Sequence, residues 1–206
     1  MSNGVLAAHT ARNSGSILGV LRHEFQHARE ILEIGSGNGQ HATTFASELR
    51  HLSWQTSDLE ENHATISRWL AGNSVANVLP PLAFDVRTAK TPVSFYDGVF
   101  SANSAHIMSA RAVAKMFALI GECLRVDGTF CLYGPFRLND EFNSPSNAAF
   151  DASLRGRDAA MGIRDLEELD GFAADNRLER SRLYAMPANN YLAIWKKRVG
   201  DKDANT

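Results

Sequence analysis

Glu33-Ile34-Gly35-Ser36-Gly37-Asn38-Gly39 decides the fold. Before it, Ile31-Leu32-Glu33-Ile34 is a short apolar run. After it, Ala42, Phe45, Ala46 and Leu49 recur at the i, i+3, i+4, i+7 spacing of one helix face. The hydrophobic period changes across three alternating glycines, so the stretch reads as strand, tight turn, helix. Ile17, Leu18, Leu21 and Phe25 follow the polar cluster Arg12-Asn13-Ser14 at near-helical spacing and predict an amphipathic helix ahead of that strand.

The alternation continues downstream. Residues 53–58, 82–86, 96–101 and 129–133 read as strands, and 64–70 and 111–125 as helices. Pro80-Pro81 and Thr91-Pro92 punctuate connections, and Asp127-Gly128 reads as the turn after the second of those helices. Five strands separated by helices require a mostly parallel sheet covered on both faces, a doubly wound α/β fold. A mixed helical region over 147–174 precedes two strand-like runs, 177–185 and 191–195, which predict an antiparallel hairpin at a sheet edge.

The 206 residues allow one domain with a sizeable core. Hydrophobic residues at 44% and charged residues at 21% are the balance of a globular chain. A formal net charge of −2 supplies no broad basic field for a phosphate backbone. Cys123 and Cys131, without a CxxC pair, argue against a disulfide framework or a zinc site and read as buried thiols. No metal requirement is expected. With no basic leader and no apolar run of membrane-spanning length, a cytoplasmic protein is expected. Residues 1–28 are expected to form a helical lid, 134–176 a cover over an acceptor, and 200–206 a frayed tail.

In an open parallel sheet, ligands bind at the carboxyl ends of the strands where strand order reverses. Gly35, Gly37 and Gly39, with Ser36 and Asn38 between them, are therefore the first cofactor candidates. Amides opening the next helix face the ligand's anionic part. A dinucleotide fingerprint needs glycine or alanine at position 40, which is Gln40, so the spacing favours S-adenosylmethionine over NAD. Glu33 is placed to orient the turn or attract the ligand's ammonium group. Asp58, followed by Leu59, is placed to accept both ribose hydroxyls. Asp85 is a candidate acceptor for the adenine amino group, with Val86 its apolar neighbour; capping a loop is the plainer alternative. Asn103 and His106 follow the fourth strand, below the methionine portion.

Further motifs are more specific than the glycine turn. Leu32 through His41, Trp54-Gln55-Thr56-Ser57-Asp58, Ser101-Ala102-Asn103 with His106-Ile107, Tyr133-Gly134-Pro135-Phe136, Asn147 through Arg155, Gly162-Ile163-Arg164-Asp165 and Met186-Pro187-Ala188-Asn189-Asn190 together resemble the methyltransferase-like twenty-six family, over nearly the whole chain. The resemblance implies a class I, Rossmann-like methyltransferase with a seven-stranded, mostly parallel sheet, a C-terminal antiparallel hairpin and S-adenosyl-L-methionine as cofactor. It adds Arg12 and His41 to the cofactor set, makes Arg12-Asn13 a lid, and points Asn189 into the pocket. It names no acceptor.

Methyl transfer from a sulfonium is an in-line displacement, so a protein must mainly hold the acceptor atom about 3 Å from the methyl carbon and exclude water. His106 is the candidate general base, against the plainer reading of a histidine bonded to backbone. Asn13, Tyr133, Phe136, Asn147, Arg155, Arg164 and Asn189 are the candidate acceptor-binding residues. Aromatic residues after a buried strand also suit a core, and Asp151, Asp158, Asp165, Glu167 and Glu168 offer the arginines ordinary ion pairs.

The expected activity is methylation of oxygen, nitrogen or sulfur on a small, anionic or neutral, metabolite. A silent S-adenosylmethionine-binding sensor or partner subunit, and a protein methyltransferase, remain alternatives. A nucleic-acid methyltransferase is disfavoured: Ser101-Ala102-Asn103-Ser104 stands where a base-gripping Asp/Asn-Pro-Pro-Tyr motif belongs.

Overall fold

The computed structural model describes residues 3–89 and 95–199, with residues 3–12 described by their backbone alone. Seven strands form one sheet: β1 (Glu30–Ile34), β2 (Ser53–Asp58), β3 (Val78–Ala83), β4 (Tyr96–Ala102), β5 (Leu124–Gly134), β6 (Leu178–Met186) and β7 (Asn190–Lys197). Their order is β3-β2-β1-β4-β5-β7-β6. β1 pairs in parallel with both β2 and β4, whereas β7 is antiparallel to β5 and β6. The chain leaves β1 toward one edge and returns on its other side at β4, so strand order reverses above β1 and β4.

Alternation along the strands divides the core. Ile31, Trp54, Phe100, Cys131 and Ile194 face α1 (Asn3–Glu24) and α2 (Gln40–Glu48), meeting Ile17, Leu21, Phe25 and Phe45. Leu32, Val99, Phe130, Leu132 and Trp195 face α4 (Ala110–Cys123) and α6 (Leu166–Ala174), meeting Val113, Met116, Phe117 and Leu169. The remaining helices are α3 (His63–Gly72), which packs on β3, and α5 (Pro145–Arg157). Both cysteines are free and buried. Among the described residues no helix is long and apolar enough to cross a membrane.

Three expectations need correction. β3 contains Pro80 and Pro81 instead of starting after them, and it ends before Phe84-Asp85-Val86, which lead into a turn. It is an edge strand bonded only to β2, where a missing N–H is tolerated. β5 begins at Leu124, directly after α4. Asp127, at φ 62, lies inside it at a register break between Tyr96↔Leu124 and Gly98↔Thr129. The 147–174 region is two helices: Asp158 ends α5, and the Asp165 side chain caps α6 by accepting from the Glu167 amide. The C-terminal hairpin is as expected, although its positive φ values fall on Ala188 and Asn189 while Asn190 already belongs to β7. Residues 200–206 lie outside the described residues.

Candidate functional site

The three turn glycines take φ of 76, 62 and 83, a region costly to other residues. At Gly39 a side chain would also meet Ile66 and Trp69 of α3, at 3.4 and 3.5 Å from the added carbon. The space beside Gly37 is open. The turn's amides are mostly consumed within the chain. Gly35 and Ser36 donate to the Ser57 carbonyl, Gly37 to Asp58, and Gly39 to the Ser36 carbonyl. Asn38 accepts from the Gln40 amide through its side chain, steadying the start of α2. A ligand here meets the open face over Gly37 and the helix opening more than free turn amides.

Beneath the turn, Glu33 is buried on β1. Its Oε2 accepts from the Ser36 hydroxyl at 2.9 Å and the Trp54 indole at 3.1 Å. Burial raises its pKa to about 7 against those two hydrogen bonds, so a small change of environment switches its charge near neutrality. Asp58, at the end of β2, accepts from the Leu59 amide and the Asn62 side chain on Oδ1 and from Gly37 on Oδ2. A carboxylate has about four acceptor positions, so Asp58 retains one of them, on Oδ2.

Asp85 stands just beyond β3, with both oxygens held by Arg87 and with its Oδ1 also accepting the Arg87 amide. Those hydrogen bonds lower its pKa. The loop-capping alternative thus describes its contacts here. Val86 is buried beside Phe84. His41 stacks on Phe45 at 5.2 Å between ring centres and meets Phe100 edge-on, and burial lowers its pKa to about 4. Asn103, exposed at φ 56, is held by its amide to the Tyr133 carbonyl at the mouth of β4 and β5.

His106 sits in the short helical turn after β4, buried, with its ring edge-on to Phe150 at 5.3 Å. Among the described residues its ring nitrogens make no hydrogen bond. Burial first, and the Arg164 charge second, lower its pKa to about 4. A carbon added at Gly134 would stand in ordinary contact, 3.8 Å from His106 Nδ1, so the end of β5 borders the imidazole. Phe136 belongs to the core. Tyr133 is core too, but its hydroxyl is buried without a hydrogen-bond partner. Burial pushes its pKa to about 12, only partly offset by the nearby Asn190 side-chain amide, which lies outside hydrogen-bond geometry and donates to the Pro187 and Ala188 carbonyls.

The acceptor candidates of the covering region divide by their contacts. Asn147 donates to Asn143 and to the Asn189 carbonyl, and Asn189 donates to Ser146, so both brace α5 against the β6–β7 hairpin. Arg155 is ion-paired to Asp151 at 2.7 Å. Arg164 is buried, donates to the Gly162 and Ala160 carbonyls, and has no carboxylate within 4.0 Å among the described residues. Asn13 is half-buried on α1, and the Arg12 side chain lies outside the described residues. Three residues escaped sequence reading in these roles: Trp54 as Glu33's partner, Gln40 with a buried unpartnered Oε1, and Arg137 with a buried unpartnered Nε. Only Arg137's position next to the Tyr133–Phe136 motif could have flagged it.

A family described as "Protein of unknown function (DUF938)" matches residues 5–197. The chain belongs to the DUF938 family. Its sheet order and closing hairpin recur in solved methyltransferases. An O-methyltransferase family protein from Burkholderia thailandensis has a TM-score of 0.79 and 14% identity, over 91% of this DUF938 chain and 57% of its own. An O-methyltransferase family 2 protein from Planctomyces limnophilus DSM 3776, in complex with apigenin, gives 0.81 and 17%, over 94% and 58%. Human N-acetylserotonin methyltransferase in complex with SAM gives 0.80 and 13%, over 94% and 54%. The fold is that of class I methyltransferases. The DUF938 chain spans little more than half the length of each of these structures.

Proposed function

We propose that this protein is an S-adenosylmethionine-dependent methyltransferase acting on oxygen, nitrogen or sulfur of a small molecule, consistent with its resemblance to the methyltransferase-like twenty-six family. One observation carries the reading: the open glycine turn and Asp58 stand together at the point where strand order reverses. The buried, unpartnered Tyr133 hydroxyl and Gln40 Oε1 at the same end of the sheet suit a polar ligand. Glu33 suits the ligand's ammonium group, because a nearby cation favours its charged form. Asp58's remaining acceptor position suits one ribose hydroxyl, which narrows the expected grip on two.

When bound, the cofactor supplies an electrophilic methyl group on a sulfonium. His106, neutral and with free ring nitrogens, takes the acceptor's proton as its atom is alkylated. Residues 134–176 exclude water over the site, and α1 covers the cofactor face. We place this single domain in the cytoplasm.

The test is calorimetric titration of S-adenosylmethionine, S-adenosylhomocysteine and NADH into wild type and Asp58→Ala. Micromolar binding of the first two, weakened at least about tenfold in Asp58→Ala by loss of a charge-assisted hydrogen bond, is expected. Binding of NADH alone, or of none, overturns the reading.

A further inference from the structure

We infer that Arg164, backed by Arg137, anchors a carboxylate or phosphate group of the methyl acceptor beside His106. The role of the anchored molecule rests on the methyl-transfer reading; the anion site itself does not.

The segment carrying Arg164 is fixed from both sides. Gly162 donates its amide to the His106 carbonyl at 2.9 Å, and Ile163 donates to Asp151 at 2.7 Å. Arg137 donates to the Arg164 carbonyl, and Leu166 donates back to the Arg137 carbonyl, both at 3.0 Å. Arg164 is therefore stitched to the end of β5 on one side and to the His106 turn on the other. Its guanidinium is positioned, not trailing in solvent.

Among the described residues that guanidinium has no carboxylate within 4.0 Å. Arg164 is 7% exposed, and its two hydrogen bonds go to neutral carbonyls, from Nε to Gly162 and from Nη2 to Ala160. Among the described residues Nη1 has no partner. Of the neighbouring carboxylates, Asp151 is committed to Arg155 and the Ile163 amide and Asp165 to the Glu167 and Asp140 amides, while Glu168, the foremost opposing charge on Arg164, acts on it from beyond ion-pair distance. Arg137 adds a second cation, whose buried Nε has no partner while its outer nitrogen meets the exposed Asp140 at 3.1 Å. Burying a cation without a counter-charge is strongly unfavourable. Tying two loop carbonyls needs only a neutral donor. A guanidinium with a free edge is instead suited to the planar pair of oxygens on a carboxylate or phosphate.

Location adds the link to chemistry. Arg164 acts electrostatically on His106, the candidate base, and Phe150 packs edge-on to the same imidazole while remaining 39% exposed. An anion on Arg164 would put the rest of a small molecule against Phe150 and His106.

The probes are benzoate, phenyl phosphate and the neutral control benzyl alcohol, titrated into the full chain with and without S-adenosylhomocysteine at fixed ionic strength. At least one anion is expected to bind wild type, tenfold or more weakly to Arg164→Gln, with partial recovery in Arg164→Lys. Which anion binds more tightly separates carboxylate from phosphate. Bound anion should also raise the midpoint of the His106 ring-proton titration by NMR, since it offsets the Arg164 charge. Arg137→Gln, expected to weaken binding several-fold, serves if Arg164→Gln melts early. Equal binding to the arginine variants, equal binding of benzyl alcohol, or no anion binding overturns the inference. Arginine-dependent anion binding by a protein that binds no S-adenosylhomocysteine keeps the anion site and removes the methyltransferase reading.

Discussion

The two ends of the sheet handle polar groups differently. At the amino ends of the strands a cavity of about 580 Å³ is lined by His23, Glu24, Asp97, Arg125, Arg182 and Lys196. Its charges are matched internally. Glu24 meets Arg182 at 3.3 Å, Lys196 at 3.5 Å and the Tyr184 hydroxyl at 2.9 Å, while Arg125 spans Asp97 and Glu30. At the carboxyl ends stand the Tyr133 hydroxyl, Gln40 Oε1 and Arg137 Nε, each buried without a partner, together with Arg164. Buried polar groups are normally satisfied, so the end where several are left over is the one that the proposed function assigns to the ligand.

The largest effect should come from the unsatisfied end. His106→Ala is expected to lower the methylation rate by about 10²-fold, the low end for a general base because its pKa of about 4 lies well below the working pH, with S-adenosylmethionine affinity unchanged in calorimetry. Because burial holds the His106 pKa at about 4, the wild-type rate at saturating S-adenosylmethionine should show no fall near 6.5 from this group, and a step near 7 that Glu33→Gln removes belongs to Glu33. A rate within twofold of wild type in His106→Ala removes His106 as the base.

Next in size is Glu33, whose pKa is raised from 4.5 to about 7 by burial. The folded state holds that proton more tightly than the unfolded one, so this carboxyl's contribution is full below about pH 4.5 and is lost as pH rises through 7. Glu33→Gln keeps an acceptor for Ser36 and Trp54 and removes the titration. It should be more stable than wild type at pH 8, by up to about 3 kcal/mol, and equal to it near pH 4. His41 and His106 work in the opposite sense: with pKa lowered to about 4, each favours folding at neutral pH and loses that contribution as pH falls from 6.5 toward 4. Denaturant melts across pH 4–8 should therefore show a steeper loss toward acid in Glu33→Gln. Parallel curves for the two proteins would show that folding leaves the Glu33 pKa unchanged.

The same division explains what could be read from sequence. The β1–turn–α2 unit was legible because one segment contains both hydrophobic periods and its glycines, and the site at the sheet reversal follows from that topology. Pro80-Pro81 misled because proline signals a break except on an edge strand, and edge position is a property of the assembled sheet. Asp85 looked like a ligand acceptor, but Arg87, only two residues on, takes both oxygens. Arg155 and Arg164 were equivalent in sequence. Only the fold pairs the first with Asp151 and leaves the second without a carboxylate within 4.0 Å among the described residues. Trp54 beneath Glu33 was likewise invisible, since the contact crosses neighbouring strands at a separation of 21 residues.

The smallest effect tests the satisfied end. The Glu24 carboxyl is enclosed, but its cation partners are substantially exposed, with side chains of Arg182 and Lys196 at 52% and 36%. Solvent screening therefore reduces the loss on Glu24→Gln, which should cost about 1–2 kcal/mol, mostly from weakened hydrogen bonds from Tyr184 and Arg182 and the lost ion pair with Lys196. Melting should register that change, and raised salt should narrow it. Cofactor affinity and methylation rate should stay at wild-type values, because Glu24 lies across the full length of the strands from His106 and Asp58. If Glu24→Gln instead lowered activity as His106→Ala does, the charges at the amino end would be part of a working site, and leftover polar groups would no longer distinguish the two ends.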